Sequence, residues 1–276
     1  TVSQLIGETA IVGLIEGEYG DKTIGLRADM DALPIDEKTG ASYASLVPGK
    51  MHACGHDVHT TILLGAAYIL KQLQHDFKGN VKLFFQPAEE TVGGAKQMIQ
   101  AGCLEHPHVN HVLGLHVRPT LNVGEVGFHY GKCHAASDTI FLTIHGKQAH
   151  GAYPQDGIDA ILIASHVVTA LQSLVSRNLS PFESAVLSLG MIEGGTAGNV
   201  VCDQVKIRGT LRTLDQTTRA FMKKRLTEVA IHTAEAFGGM ADVYLEEGYA
   251  PLINAHAITD AVAHVAKQVV GDDNVI

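Results

Sequence analysis

Residues 51–90 read MHACGHDVHTTILLGAAYILKQLQHDFKGNVKLFFQPAEE, and this stretch decides the fold. In its middle, Ile62, Leu63, Ala66, Ala67, Ile69, Leu70 and Leu73 recur at helical spacing, so a helix is expected over 59–74. Residues 81–85 form a short apolar strand that stops at Gln86-Pro87. The alternation continues on both sides. Residues 9–16 and 23–27 are β-branched and apolar, divided by Gly17 and Gly20, and read as strands. A helix is expected over 93–101, stopped by Gly102, and strands over 109–117 and 123–128. Strands alternating with helices predict an α/β fold with a mixed, mainly parallel sheet covered by helices.

From Ser137 the rhythm changes. Ile140, Leu142 and Ile144 alternate along a strand over 138–145. A long helix over 158–176, strands over 185–192 and 205–211, a helix over 217–237 and a strand over 241–246 follow. That βαββαβ order is the split, ferredoxin-like arrangement: an antiparallel four-stranded sheet with two helices on one face. It is expected to fill 131–247. Residues 1–130 and 248–276, the latter with a helix over 256–270, then form the other domain. Ile158, Ile161, Ile163, Val167, Val168, Leu171 and Val175 cover more than one narrow face of their helix. A homodimer through this domain would account for the excess.

The 276 residues are 46% apolar and 18% charged, which suits a packed core rather than disorder. A net charge of -9 argues against a generic nucleic-acid or anionic-membrane binder, which needs a basic face. No apolar run is seen to approach the roughly 18–20 residues that span a bilayer. The opening residues show no basic segment followed by an apolar one, and a cytoplasmic setting is expected. The four cysteines are too few and scattered for a disulfide scaffold. Cys103, Cys133 and Cys202 read as small buried hydrophobes.

Cys54 differs, because it sits among His52, His56, Asp57 and His59. Thiolate, imidazole and carboxylate are the side chains that hold zinc and its neighbours. The pair Glu89-Glu90 and His116, just past strand ends, complete the set. Ligands in open α/β sheets gather in that crevice. On extended backbone the two glutamates point to opposite sides, so one can bind metal and the other face substrate. His52 and His59 read as bracing or packing residues. Asp29 and Asp31 either orient a ligating imidazole or cap a polar loop, and Asp57 has a similar case. The glycine-rich stretch 193–199 lacks the features of a phosphate cradle and reads as a tight loop bringing Asn199 near a ligand. His150, taken alone, reads as a surface residue. These residues together point to a metal-dependent hydrolase.

Five segments (27–34, 51–59, 86–90, 113–117 and 149–152) carry a resemblance that spans essentially the whole chain. The chain resembles the aminoacylase/carboxypeptidase-type dinuclear metallopeptidases, in the branch of N-acyl-amino-acid amidohydrolases, hippurate hydrolases and indole-acetyl-amino-acid hydrolases. The resemblance implies a two-metal catalytic domain interrupted by a lid or dimerisation domain. It implies metal ligands at Cys54, His56, Glu90 and His116, with Glu89 as general base and acid. His150 would stabilise the oxyanion, and Asn199 and Arg212 would help hold the substrate carboxylate. Arg212 is expected to end a strand beside the glycine loop, a place suited to a bidentate clamp. The implied cofactors are two divalent ions (Zn, Mn, Co or Ni), and the implied substrate is a small N-acyl amino acid. A carboxypeptidase or dipeptidase of the same fold, and a non-catalytic binding or oligomerisation module, are the alternatives. The family's further histidine ligand, after a Glu-Asp-Phe segment, has no match here, and its N-terminal helical region is missing. The chain is therefore read as a fragment truncated at both ends.

Overall fold

The computed structural model describes residues 1–5, 9–91 and 93–276. The chain folds as two units, residues 1–125 and 126–276.

The first unit contains β1 (Val2–Leu5), β2 (Ala10–Glu16), β3 (Thr23–Asp29), α1 (His56–Gln72), β4 (Asn80–Gln86), α2 (Gly94–Gln100) and β5 (His111–Gly114). They build one sheet in the order β1-β2-β4-β3-β5. Only β4, β3 and β5 are mutually parallel, with Asp29 opposite Gln86 and Arg27 opposite Gly114. β2 runs antiparallel to both β1 and β4. The sheet is thus mixed, and the mainly parallel sheet expected holds for its site-bearing half alone. The reason is that β1 joins β2 antiparallel along the edge of the sheet and no helix intervenes between β2 and β3.

Alternating side chains cover both faces. Val12 and Phe84 pack with Met98 of α2, while Ile15, Leu83 and Phe85 pack with Leu63 of α1. Because β3, β4 and β5 are parallel, their carboxyl ends emerge along one edge. Asp29, Gln86 and Gly114 therefore deliver the following loops to a common crevice.

The second unit contains β6 (Gly131–His134), β7 (Asp138–His145), β8 (Ala149–His150), α3 (Ala160–Ser173), β9 (Ala185–Gly194), β10 (Val200–Val201), β11 (Gln204–Thr213), α4 (Gln216–Ala236), β12 (Met240–Glu247), β13 (Leu252–Asn254) and α5 (His256–Val270). Its main sheet is antiparallel, in the order β12-β7-β11-β9. Ile140, Leu142, Ile144, Val205, Ile207 and Leu211 form its inner face. Ile163, Val167 and Leu171 of α3 and Met222, Leu226 and Ala230 of α4 pack on that face. At about 25 cal/mol per Å² of apolar area, this interleaved core supplies most of the favourable free energy of the unit.

Asp159 caps α3 by accepting from Ile161 N–H at 2.9 Å, and Asp215 caps α4 by accepting from Thr218 N–H at 2.7 Å. α3 continues through a π-helical turn, so Ala160–Asn178 is long and apolar enough to cross a membrane by length and composition. Its buried residues nevertheless recur on one face against the sheet, the pattern of a core helix.

The strand expected over 123–128 does not form; Val126 makes a single bridge to Val275. Residues 126–134 and 248–276 instead hold one another through β6–β13 and through Phe128 N–H to the Ile276 carbonyl at 2.7 Å.

Candidate metal centre

α1 begins at His56 because Gly55 adopts a left-handed φ of +85° at its N-cap. An ideal Cβ there would lie 2.4 Å from Val117 Cγ2. This turn throws Cys54 into the crevice, and the helix then places His56 and His59 on its buried face.

The ring nitrogens are assigned by their partners. His56 Nδ1 lies 3.0 Å from the Asp31 carbonyl, so it carries the proton and leaves Nε2 with a free lone pair. His116 Nδ1 likewise donates to the Val117 carbonyl at 2.7 Å. His116 Nε2 stands 3.4 Å from Cys54 Sγ. A thiolate and an imidazole sharing one tetrahedral zinc are separated by about 3.5 Å. The Glu90 carboxylate is 3.9 Å from His56 Nε2.

His56 Nε2 is buried without a hydrogen-bond partner among the described residues, and such an orphan costs free energy unless something occupies its lone pair. Ligand atoms of Cys54, His56 and His116 lie within 4.8 Å of one another, as do those of His56, Glu89 and Glu90. This donor set fits a divalent transition-metal ion.

Electrostatics agree. Burial pushes the Cys54 thiol up to about 11, and the negative charges of Glu90, Glu89 and Asp29 add to it. Burial and the adjacent Glu90 likewise raise the Glu89 carboxyl, against the pull of Arg27. Crowded anions of this kind are what a bound cation neutralises.

Asp29 and Asp31 take the bracing role. Burial raises the Asp29 carboxyl, but the His59 hydrogen bond and the Arg27 guanidinium outweigh it and hold the group below its ordinary range. Asp31 accepts from Glu90 N–H at 2.9 Å and sits beside His56 Nδ1. Asp31 thus links the loop carrying the glutamates to a ring of the cluster. Burial opposes ionisation of Asp31 as well, and the backbone N–H groups of Glu90 and Glu89 bring it below its usual range. Asp57 is exposed in the first turn of α1 and does not join the cluster.

Sequence reading passed over Arg27. Its Nη1 donates to Asp29 Oδ2 at 2.8 Å and its Nε to Gln86 Oε1 at 2.8 Å, tying β3 to β4 below the site. The signal was available, because Arg27 and Asp29 share one face of a strand.

His150, Asn199 and Arg212 all lie in the second unit. His150 pairs with Val200, and Gly151 N–H donates to the Asn199 carbonyl at 2.7 Å, so these two come together. Arg212 does not join them. It lies opposite Val186, at the other end of β11 from the glycine loop, roughly 27 Å along the strand from Gln204 at ~3.4 Å per residue. The expectation that Arg212 ends beside that loop is corrected: the loop leads into the start of β11, and the length of that strand separates it from Arg212.

Residues 25–276 match the model of peptidase family M20/M25/M40, and the chain belongs to this family. It is 47% identical over 263 residues to an N-acetyl-L-cysteine deacetylase of Bacillus subtilis, covering 94% of this chain and 63% of that protein. It is 43% identical over 248 residues to an N-acyl-L-amino acid amidohydrolase of Geobacillus stearothermophilus, covering 90% and 66%. The crystal structure of a Bacillus subtilis dinuclear metal binding peptidase from the M20 family superposes with a TM-score of 0.82 at 32% identity, covering 97% and 70%. The chain therefore spans less than two thirds of the length of the first two relatives.

Proposed function

We propose that this chain carries the metal centre of an amidohydrolase that releases the acyl group from small N-acyl amino acids. The observation that supports this most is the bare, buried lone pair of His56 Nε2, set beside Cys54, His116 and the Glu89-Glu90 pair. Cys54, His56, Glu90 and His116 would hold the metal, in a dinuclear arrangement such as the related peptidase has. Divalent ions in such a site acidify water and polarise an amide carbonyl.

Glu89 takes a proton from the attacking water and returns it to the departing nitrogen. Burial raises its carboxyl toward the range in which one group can both accept and donate. His150 donates to the developing oxyanion, where a preorganised donor contributes about 2.7–4 kcal/mol. Asn199 holds the substrate carboxylate; Arg212, at the far end of β11 from the Asn199 loop, does not share that contact within one chain.

Segment 131–247, with its ferredoxin-like order, serves as the lid and homodimerisation domain that the family resemblance implies. Segments 1–130 and 248–276 make up the catalytic domain; Val126 and Phe128 hold the final residues, while β6 pairs with β13 across the boundary. The setting is cytoplasmic, where a thiolate ligand persists.

The Glu89→Gln variant tests the reading. Turnover of N-acetyl and N-benzoyl amino acids should fall by about 10²–10⁴-fold while bound metal is retained. A fully active variant would overturn it.

A further inference from the structure

His59 lies three residues after His56, is buried, and faces the same cluster, with its ring centroid 4.6 Å from that of His116. Proximity alone would make it another ligand. Its hydrogen bonds argue otherwise. His59 Nε2 accepts from the Val117 N–H at 2.9 Å, so its lone pair is already engaged. That acceptance places the ring proton on Nδ1, which donates to Asp29 Oδ1 at 2.6 Å. Asp29 is in turn held by Arg27.

Val117 is the point on which these contacts converge. Its N–H is fixed by His59, its carbonyl receives His116 Nδ1–H, and its Cγ2 occupies the space that a side chain at Gly55 would need. One residue therefore touches both ligand-bearing segments: the turn carrying Cys54 and His56, and the loop carrying His116.

We infer that His59 is a positioning residue rather than a metal ligand. Oriented by Asp29, it pins the Val117 backbone and thereby sets the distance between the Cys54–His56 turn and His116. The inference rests on the metal centre proposed above and adds to it the element that preorganises the site. Bracing groups of this kind typically contribute about 10–100-fold in metal affinity.

Two substitutions separate the ring's two nitrogens. In His59→Gln the amide oxygen reaches the Nε2 position and still accepts from Val117 N–H. In His59→Asn the amide nitrogen reaches the Nδ1 position and donates to Asp29, but the acceptor for Val117 is lost. Cadmium titration, read by the thiolate-to-metal charge-transfer band, reports Cys54 coordination directly and needs no turnover. The expected result is an affinity about 10–100-fold weaker for His59→Asn, with His59→Gln restoring most of it and metal stoichiometry unchanged in both. Equal affinity in wild type and both variants would overturn the inference and leave the metal centre standing. A loss of bound metal equivalents in both variants would make His59 a ligand and overturn it too. A wild-type protein that binds no cadmium would remove the metal centre itself, and the inference with it.

Should either variant fold poorly, the imidazole ¹⁵N spectrum of the wild-type protein decides. The Nδ1-protonated tautomer of His59 should persist on cadmium loading without direct cadmium coupling, and such a coupling at His59 would overturn the inference.

Discussion

Replacing Gly55 with Ala tests how tightly the crevice is built. Gly55 has a φ of +85°, a region in which an L side chain costs about 1–2 kcal/mol. The new Cβ would also meet Val117 Cγ2 at 2.4 Å, more than 1 Å inside ordinary carbon contact at ~3.5–4.0 Å. Overpacking of this kind typically adds about 1–3 kcal/mol. Gly40 supplies the control: its φ is +69°, but nothing lies within 4 Å of its ideal Cβ. Gly40→Ala should therefore cost only the backbone contribution, and Gly55→Ala about 1–3 kcal/mol more. Urea unfolding followed by circular dichroism measures both. The strain is relieved by displacing Val117, so cadmium affinity should fall in Gly55→Ala by up to roughly 100-fold and stay unchanged in Gly40→Ala. If the two variants lost equal stability and kept equal affinity, the close packing of Val117 on the ligand turn would be refuted.

Two further outcomes follow from the second unit. Arg219 and Asp138 form a buried pair with contacts of 2.8 and 2.6 Å, so Arg219→Met should destabilise the protein by about 3–5 kcal/mol by leaving a carboxylate without its partner. Adding Asp138→Leu should recover much of that loss in urea unfolding, and no recovery would argue against the ion pair as the cause. The Asp215 carboxyl is held far below its usual range, first by the Thr218 N–H and also by Lys132. Its contribution is present above the unfolded aspartate pKa of about 3.9 and is lost as pH falls toward the folded value. Asp215→Ala should cost about 1 kcal/mol at pH 7 and less at pH 3, and a gap that widened in acid would contradict this sign.

Periodicity located most elements because it reads apolar side chains. It gave the bounds of α5 correctly but began α1 at His59, since the first turn is buried through His56, which carries no apolar signal. The strand β1 escaped notice because three of its four residues, Val2, Ser3 and Gln4, are exposed. The short β6–β13 pair has too few residues to show alternation. At the site, chemistry and chain position singled out Cys54, His56, Glu89, Glu90 and His116 as candidates whose ligand atoms the fold brings close, while their separate roles came from the resemblance. The role of Asp29 was left open, because a carboxylate after a strand reads equally as a cap or a brace. Only the 2.6 Å contact with His59 separates the two. The place of Arg212 was legible, because the strand expected over 205–211 itself separates Arg212 from the glycine loop.

The metal content of the purified protein, measured by mass spectrometry after dialysis for wild type beside Cys54→Ala and His56→Ala, tests the central claim most directly. The account predicts a dinuclear complement in the wild type and a marked loss in both variants. Equal metal in all three proteins, or none in any, would contradict it.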